Sequence, residues 1–231
     1  MFPDFLIIDF DSTFISKESL DELAYYTLQK SKVDISVIEE IQKITDAGMN
    51  GEITFHESID SRLHLMKANK SDVIEVSNRL KDYITPSFLR NKDFIQEHNK
   101  KIYFISGGFR EMLLPVLNNF GISNNHIFGN EFIYDSDNNI VGFEKNNPLT
   151  DVSGKAKILE SLCLNGEIHA IGDGYNDYKL KAVGAASKFF AFTENIKREN
   201  VCVLADIVLA SFDEYIEIFD DYNNCIIFFI N

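Results

Sequence analysis

Short apolar runs recur along this chain and are separated by longer amphipathic stretches. Five runs have the length and the β-branched or aromatic content of buried strands, at residues 5–8, 102–105, 168–171, 189–192 and 207–209. Residues 155–162 lie between two of these runs and carry apolar side chains at helical spacing. Strands that alternate with helices predict an α/β fold with a Rossmann-like, mostly parallel sheet.

Two intervals depart from this alternation. Residues 16–85 contain helical patterns and little strand signal, so we predict a helical cap domain inserted after the first strand. Residues 1–15 and 86–231 then form the α/β core domain. Apolar residues 132–134 and 140–143 flank a turn-rich segment and predict a small β-hairpin.

The last part of the chain contains one helix signal and one apolar tail. Ser211 and Glu214 have the spacing of a capping box, which predicts a helix that runs toward Tyr222. Residues 225–230 are strand-like and apolar, and such a segment must pair or pack because it would otherwise promote aggregation. An extra sheet strand and a dimer contact are both compatible with it.

Candidate chemistry begins where the first predicted strand ends. Asp9 and Asp11 are one residue apart there, and alternate residues of a strand point to the same side. One carboxylate can attack phosphorus and form an aspartyl-phosphate. The other can protonate the leaving alcohol and later accept a proton from water. We therefore interpret Asp9 as a nucleophile and Asp11 as an acid–base; the competing interpretation is two solvated acids.

Two further signals follow predicted strands or begin the next helix. Ser106, Gly107 and Gly108 offer a hydroxyl and bare glycine amides, which can bind a phosphate. Lys155 stands near a helix start, where its ammonium can neutralise both a phosphoryl group and an attacking carboxylate. Taken alone, residues 106–108 also fit an ordinary glycine turn, and Lys155 also fits a solvated lysine on a helix.

The stretch 172–177 carries the clearest metal signal. Mg²⁺ is a hard cation that prefers carboxylate oxygens. Asp173 ends a predicted strand and can bind metal opposite Asp9, while Asp177 can orient metal-bound water or Lys155. We predict metal ligands at Asp9, Asp11, Asp173 and Asp177 and a substrate contact at Asn176. The competing interpretation is a turn that caps a helix.

The ordered set DxDxT, SGG, Lys and GDGxND resembles the haloacid dehalogenase superfamily of phosphatases along the whole chain. Within it, residues 11–22 are similar to the stretch after the nucleophile in the phosphoserine phosphatases. Met49, followed by Asn50 and Gly51, together with Phe55 and Arg62, resembles their cap signature. The resemblance implies that Glu18 and Arg62 face the amino-acid end of the substrate, whereas Met49 and Phe55 shield the site.

The chemistry of phosphoserine agrees with this resemblance. Its carboxylate suits the fork of an arginine, and its ammonium suits an acid such as Glu18. Our leading hypothesis is a Mg²⁺-dependent hydrolase of phosphoserine, with Ser106 and Gly107 at the phosphate. Another small phosphomonoester, phosphotransfer to an alcohol such as homoserine, and a non-catalytic phosphometabolite-binding protein remain open alternatives.

Composition narrows the class of protein further. The chain has 231 residues and a formal net charge of −14, which disfavours nucleic acid or an anionic membrane as a partner. No signal-peptide pattern or bilayer-spanning run is visible. Cys163, Cys202 and Cys225 are scattered, which predicts free thiols in the cytoplasm. We expect a monomer or homodimer that acts on a small molecule.

Overall fold

The computed structural model describes residues 2–31, 35–50 and 52–218. Its strands are β1 (Phe5–Ile8), β2 (Ile102–Phe109), β3 (Ile127–Asn130), β4 (Phe132–Tyr134), β5 (Ile140–Phe143), β6 (Ile168–Gly172), β7 (Lys188–Phe192) and β8 (Ile207–Leu209). Its helices are α1 (Ser19–Ser31), α2 (Ile35–Asn50), α3 (Phe55–Met66), α4 (Lys70–Arg79), α5 (Pro86–Arg90), α6 (Lys92–Glu97), α7 (Arg110–Leu117), α8 (Gly154–Ser161), α9 (Tyr175–Ala182) and α10 (Glu199–Cys202).

Six of the described strands form one parallel sheet in the order β3–β2–β1–β6–β7–β8. This confirms the predicted α/β fold. The chain builds outward from β1 toward β3 on one side and from β6 toward β8 on the other. The carboxyl end of β1 is therefore a topological switch point, where open parallel sheets form a crevice that binds ligands.

Successive side chains of β1 point to opposite faces of the sheet and pack into both of its apolar clusters. Leu6 and Ile8 are buried in the larger apolar cluster, whereas Ile7 is buried in the smaller one. Both faces are covered by helices, as expected for a parallel sheet. This two-sided packing holds the end of β1 rigidly in the middle of the molecule.

Four of the described helices, α1 to α4, lie within residues 16–85, the interval where the sequence predicts them. The chain crosses into and out of this insert at adjacent positions, since Ile15 and Ile84 form an antiparallel bridge. The division into a core domain and a cap domain at residues 16–85 stays a prediction.

The predicted hairpin is present as β4 and β5, which pair antiparallel. It packs against the helical insert. The main-chain N–H of Ile140 donates to the carbonyl of Ala68 at 2.9 Å, and Asn69 and Asn139 form a bridge. In the sequence, the hairpin lies within the sheet-forming part of the chain. In the structure, it also packs against the helical insert.

Three features differ from the sequence pattern or lie beyond it. Strand β3 escaped prediction, and β2 extends through Ser106, Gly107 and Gly108 rather than ending before them. Residues 212–218 are helical as predicted, with Ser211 Oγ accepting from the N–H of Glu214. Tyr222 and the tail at 225–230 lie outside the described residues. No helix in the described parts of the chain is long and apolar enough to cross a bilayer.

Candidate active site

Three carboxylates converge where β1 and β6 end side by side. The N–H of Asp9 donates to the carbonyl of Ile171 at 3.0 Å, so Asp9 continues the pairing of the two strands. Asp173 follows the end of β6, and Asp177 lies in the first turn of α9. One oxygen from each of these three aspartates lies within 4.8 Å of the other two. All three side chains are buried.

Lys155 supplies positive charge at the centre of this group. Its Nζ lies 2.5 Å from Asp9 Oδ1 and 2.7 Å from Asp177 Oδ1, and its side chain is buried. Burial alone would lower the pKa of Lys155, but the charges of Asp177 and Asp9 outweigh burial and raise it. The ammonium therefore stays protonated at neutral pH.

A close backbone approach places Lys155 there. Gly154 begins α8, and a Cβ at this residue would stand 2.1 Å from the carbonyl oxygen of Pro148. Only glycine fits such a contact with main chain. Gly154 thus allows α8 to start close against the 148–150 turn, with Lys155 directed at the end of β1.

The charge balance of the group favours a bound cation. Burial raises the pKa of Asp9, and the neighbouring charge of Asp177 adds to this effect. Burial likewise raises the pKa of Asp177. Lys155 contacts two of the three buried carboxylates, and Arg198 Nε contacts the third, Asp173, so three acidic groups face two cationic side chains. Burying an ionised carboxylate without full compensation is strongly unfavourable. An all-oxygen donor set of this kind suits a hard divalent cation.

Asp11 faces a different partner. Residues 10–14 form an irregular turn in which Ser12 has a left-handed φ of 55°. This turn directs the Asp11 carboxylate to the first residue of α1, where the N–H of Ser19 donates to Asp11 Oδ1 at 2.8 Å. Burial raises the pKa of Asp11 to about 6, although the hydrogen bond from Ser19 opposes it. The carboxyl group of Asp11 is not part of the three-carboxylate group described above.

Residues 106–108 form the irregular end of β2, where its pairing with β3 shifts register, and this glycine turn lies directly beneath the helical insert. Ser106 Oγ accepts from the N–H of Gly108 at 2.9 Å, which fixes the turn. A Cβ at Gly107 would stand 2.7 Å from Cζ of Phe55, and a Cβ at Gly108 would stand 2.6 Å from Asp11 Oδ2. Phe55 and Asp11 thus lie against neighbouring glycines of this turn.

Glu18 is partly buried beside the turn at residues 10–14. Its Oε1 accepts from Ser12 Oγ at 2.7 Å. Burial, followed by the charge of Asp11, raises the pKa of Glu18 to about 8. Glu18 is therefore mostly protonated at pH 7 in the free protein, and a cationic group placed next to it would lower its pKa again.

Arg62 is held inside the insert. Its side chain is buried; Nη1 donates to Asp21 Oδ1 at 3.0 Å and to Thr45 Oγ1 at 3.3 Å, and Nε donates to the carbonyl of Ser58. Asp21 in turn raises the pKa of both Asp11 and Glu18 through its charge. The Arg62–Asp21 pair is thus within electrostatic range of the site.

Two other predicted contacts are placed only by their elements. Asn176 lies in the first turn of α9, next to Asp177. Met49 belongs to α2, and its side chain lies outside the described part of the structure.

Sequence reasoning missed three polar side chains around these groups. Thr13 Oγ1 donates to Asp173 Oδ1 at 3.2 Å, and Arg198 Nε donates to Asp173 Oδ2 at 3.0 Å. Asn195 contacts the turn at residues 10–14. Arg198 and Asn195 follow the carboxyl end of β7, the strand next to β6, and that position is the signal that could have indicated them.

The family model for haloacid dehalogenase-like hydrolases matches residues 6–181. The chloroplastic phosphoserine phosphatase of Arabidopsis thaliana is 29% identical over 216 residues, which cover 92% of this chain and 70% of the relative.

Solved structures agree with the sequence match. A phosphoserine phosphohydrolase-like protein from Francisella tularensis has a TM-score of 0.80 at 34% identity, over 93% of this chain and 99% of that one. A phospho-aspartyl intermediate analogue of phosphoserine phosphatase has a TM-score of 0.71 at 26% identity, over 93% and 97% of the two chains. With its carboxylates, lysine and glycine turn in the arrangement described above, this chain belongs to the haloacid dehalogenase-like hydrolase family.

Proposed function

We propose that this hydrolase converts O-phospho-L-serine to L-serine and phosphate, with Mg²⁺ as cofactor and an aspartyl-phosphate on Asp9 as intermediate. The observation that carries the proposal is the placement of Lys155 between Asp9 and Asp177 at the switch point of the sheet. Lys155 opposes the rise that burial causes in the pKa of Asp9, and a carboxylate whose ionised form is favoured in this way is a suitable nucleophile toward phosphorus.

Asp9, Asp173 and Asp177 are the residues that would hold Mg²⁺. When bound, the cation neutralises charge on the phosphoryl oxygens. The sequence also predicts Asp11 as a ligand. The hydrogen bond from Ser19 to its carboxylate supports the other role we assign to Asp11, that of proton donor and acceptor.

The environment of Asp11 supports that acid–base role. A general acid works best when its pKa is near the working pH, because enough of it is then protonated. A pKa of about 6 gives Asp11 a protonated fraction at neutral pH that an ordinary aspartate lacks. Its contact with Gly108 places it beside the turn to which we assign phosphate binding through Ser106 and Gly107.

The substrate assignment depends on Glu18 and Arg62. We assign the ammonium of phosphoserine to Glu18 and its carboxylate to Arg62, whose Nη2 has no assigned acceptor among the described residues. Phe55 covers Gly107 and would exclude water from the phosphoryl group. We also retain Met49 as a shielding residue and Asn176 as a substrate contact. The phosphoserine phosphatases among the relatives support the same substrate.

The cytoplasm is our proposed compartment. Cys163 and Cys202 are free thiols, and free thiols are typical of a reducing compartment.

Phosphate release from a panel of small monoesters tests the proposal. The panel contains L- and D-phosphoserine, phosphothreonine, phosphohomoserine, phosphocholine and an aryl phosphate, each with Mg²⁺ or with EDTA. We expect L-phosphoserine to be preferred, and activity to disappear in EDTA and in Asp9→Asn. Preference for another ester would refute the substrate and keep the chemistry, whereas binding without turnover would refute the enzyme assignment.

A further inference from the structure

Asn195 connects two segments of the chain and has no direct role in the proposed chemistry. It follows β7, in the loop at residues 193–198, and is partly buried. Its side-chain Nδ2 lies 3.1 Å from the carbonyl oxygen of Ser12 and 3.0 Å from that of Thr13. The same nitrogen lies 2.7 Å from Thr85 Oγ1 and 3.4 Å from the carbonyl oxygen of Ile15. One amide therefore meets four oxygens from two distant parts of the chain.

The first part is the turn that carries Asp11. Ser12 has a left-handed backbone, which is unfavourable for a residue other than glycine, so the turn needs outside contacts to keep its shape. The carbonyls of Ser12 and Thr13 both point at Asn195. Without a donor there, these partly buried carbonyls would lose hydrogen bonds that the fold otherwise provides.

The second part is the place where the chain re-enters the sheet from the helical insert. Thr85 Oγ1 donates to the carbonyl of Thr13 at 2.7 Å and accepts from Asn195. The N–H of Thr85 donates to the carbonyl of Phe14 at 3.0 Å. Asn195 and Thr85 thus clasp the turn from two sides, next to the bridge between Ile15 and Ile84.

The position of the Asp11 carboxylate depends on both of these segments. Its main chain belongs to the clasped turn, and its hydrogen-bond donor, the N–H of Ser19, lies just beyond the crossing into the insert. A change in the angle of the turn would therefore move Asp11 relative to Ser19 and to Gly108.

We propose that Asn195 is a positioning residue that holds Asp11 in place for proton transfer to the leaving alcohol. Among the described residues, Asn195 makes its side-chain hydrogen bonds to the turn and to Thr85 and none to the three-carboxylate group, so it acts through the turn and not on the reacting atoms. The inference rests on the proposed function, in which Asp11 is the general acid.

The leaving group of the substrate separates this role from general support of the fold. Serine is a poor leaving group and needs the proton from Asp11, whereas 4-nitrophenolate leaves readily without one. The quantity to compare is kcat/KM for L-phosphoserine and for 4-nitrophenyl phosphate, because this ratio reports the step in which the leaving group departs.

We expect Asn195→Ala to lower kcat/KM for L-phosphoserine about 100-fold, since a misplacement near 1 Å costs that much. For 4-nitrophenyl phosphate the loss is expected to stay below about fivefold. Asn99→Ala is the matched control, because Asn99 also donates its side-chain amide to a loop carbonyl, that of Gly121, away from the site. Equal losses on both substrates, or no loss on either, would overturn the inference.

Thr85 provides a second test that does not require Asn195→Ala to fold. Thr85→Val keeps the shape and removes the hydroxyl, whereas Thr85→Ser keeps the hydroxyl. We expect the same leaving-group-dependent loss in Thr85→Val and nearly full activity in Thr85→Ser. Identical behaviour of the two variants would contradict the role of the Thr85 hydroxyl in holding the turn. If the wild-type protein hydrolyses no ester, the proposed function fails; if it hydrolyses both and the variants match it, only the positioning role fails.

Discussion

The ring of Phe55 lies so close to Gly107 that a Cβ at residue 107 would stand 2.7 Å from its Cζ. Phe55 is the first residue of α3, in the helical insert, and Gly107 lies at the end of β2 in the sheet. The insert therefore touches the proposed phosphate site with an aromatic side chain and closes one side of it.

Replacing Phe55 with alanine removes this cover. We expect Phe55→Ala to lower kcat/KM for L-phosphoserine about tenfold, because water would then compete at the phosphoryl group. Leu65→Ala is the control, since Leu65 is also partly buried on α3 and packs on the apolar core. Steady-state kinetics of both variants decide the matter; equal losses would mean that only the packing of α3 is being measured.

Lys155 and Lys157 form a matched pair on one helix. Lys155→Met leaves Asp9 and Asp177 without their shared ammonium, and we expect turnover to disappear. The free energy of unfolding in EDTA at pH 7 should also fall by about 3 kcal/mol, as for other broken buried ion pairs. Lys157 pairs with Asp151 at the surface at 2.8 Å, so Lys157→Met should change stability by less than about 1 kcal/mol. Urea unfolding and phosphate release measure the two effects, and retained turnover in Lys155→Met would contradict our interpretation.

Glu18 should make stability depend on pH. Its pKa is raised from an ordinary value of 4.5 to about 8 in the folded protein, so folding favours its protonated form. This contribution is fully present below pH 4.5 and is lost as the pH rises through about 8. Glu18→Gln removes the titration and still offers an oxygen to Ser12. We expect the variant to exceed the wild-type protein in free energy of unfolding by more than about 1 kcal/mol at pH 9.

Urea titrations in EDTA from pH 4 to pH 9 test this prediction. The difference between the Glu18→Gln and wild-type proteins should grow across this range. A constant difference would show that Glu18 has the same pKa in the folded and unfolded states.

Arg198 should influence metal binding through Asp173. Its guanidinium contacts the Asp173 carboxylate at 3.0 Å, and a divalent cation on the same carboxylate would be repelled by it. We expect Arg198→Gln to be less stable than the wild-type protein in EDTA and to gain more thermal stability on addition of Mg²⁺, because tighter binding to the folded state raises Tm. Arg79→Gln is the control, since Arg79 pairs with Glu75 on the surface of α4. An Mg²⁺ response of Arg198→Gln equal to that of the wild-type protein would show that Arg198 does not compete with the cation.

Much of the fold could be predicted because its strands are locally distinctive. Strands β1 and β8 and both strands of the hairpin have the predicted bounds. Strand β3 is different. It has four residues and ends in Gly129 and Asn130, which disfavour strands in isolation, and it forms because β2 offers it an edge.

The site likewise contains residues whose position the sequence predicts and residues whose position it does not. Asp9, Asp173 and Lys155 lie at the ends of strongly patterned elements, so topology alone brings them together. The direction of the Asp11 carboxylate depends on the left-handed backbone of Ser12, which the residue types in this stretch do not predict. Asn195 and Arg198 lie in a polar loop, and only the pairing of β7 with β6 brings that loop to the site.

The hairpin of β4 and β5 limits how this chain can be recombined with relatives. Residues 16–85 look like a cassette that could be exchanged to change substrate choice. Removing them would also strip the hairpin of its hydrogen bond between Ile140 and Ala68 and of the packing between His56 and the buried ring of Phe143. A chimera that is meant to fold must therefore carry residues 132–143 together with the helices, although some fifty residues of sheet-forming sequence separate the two segments.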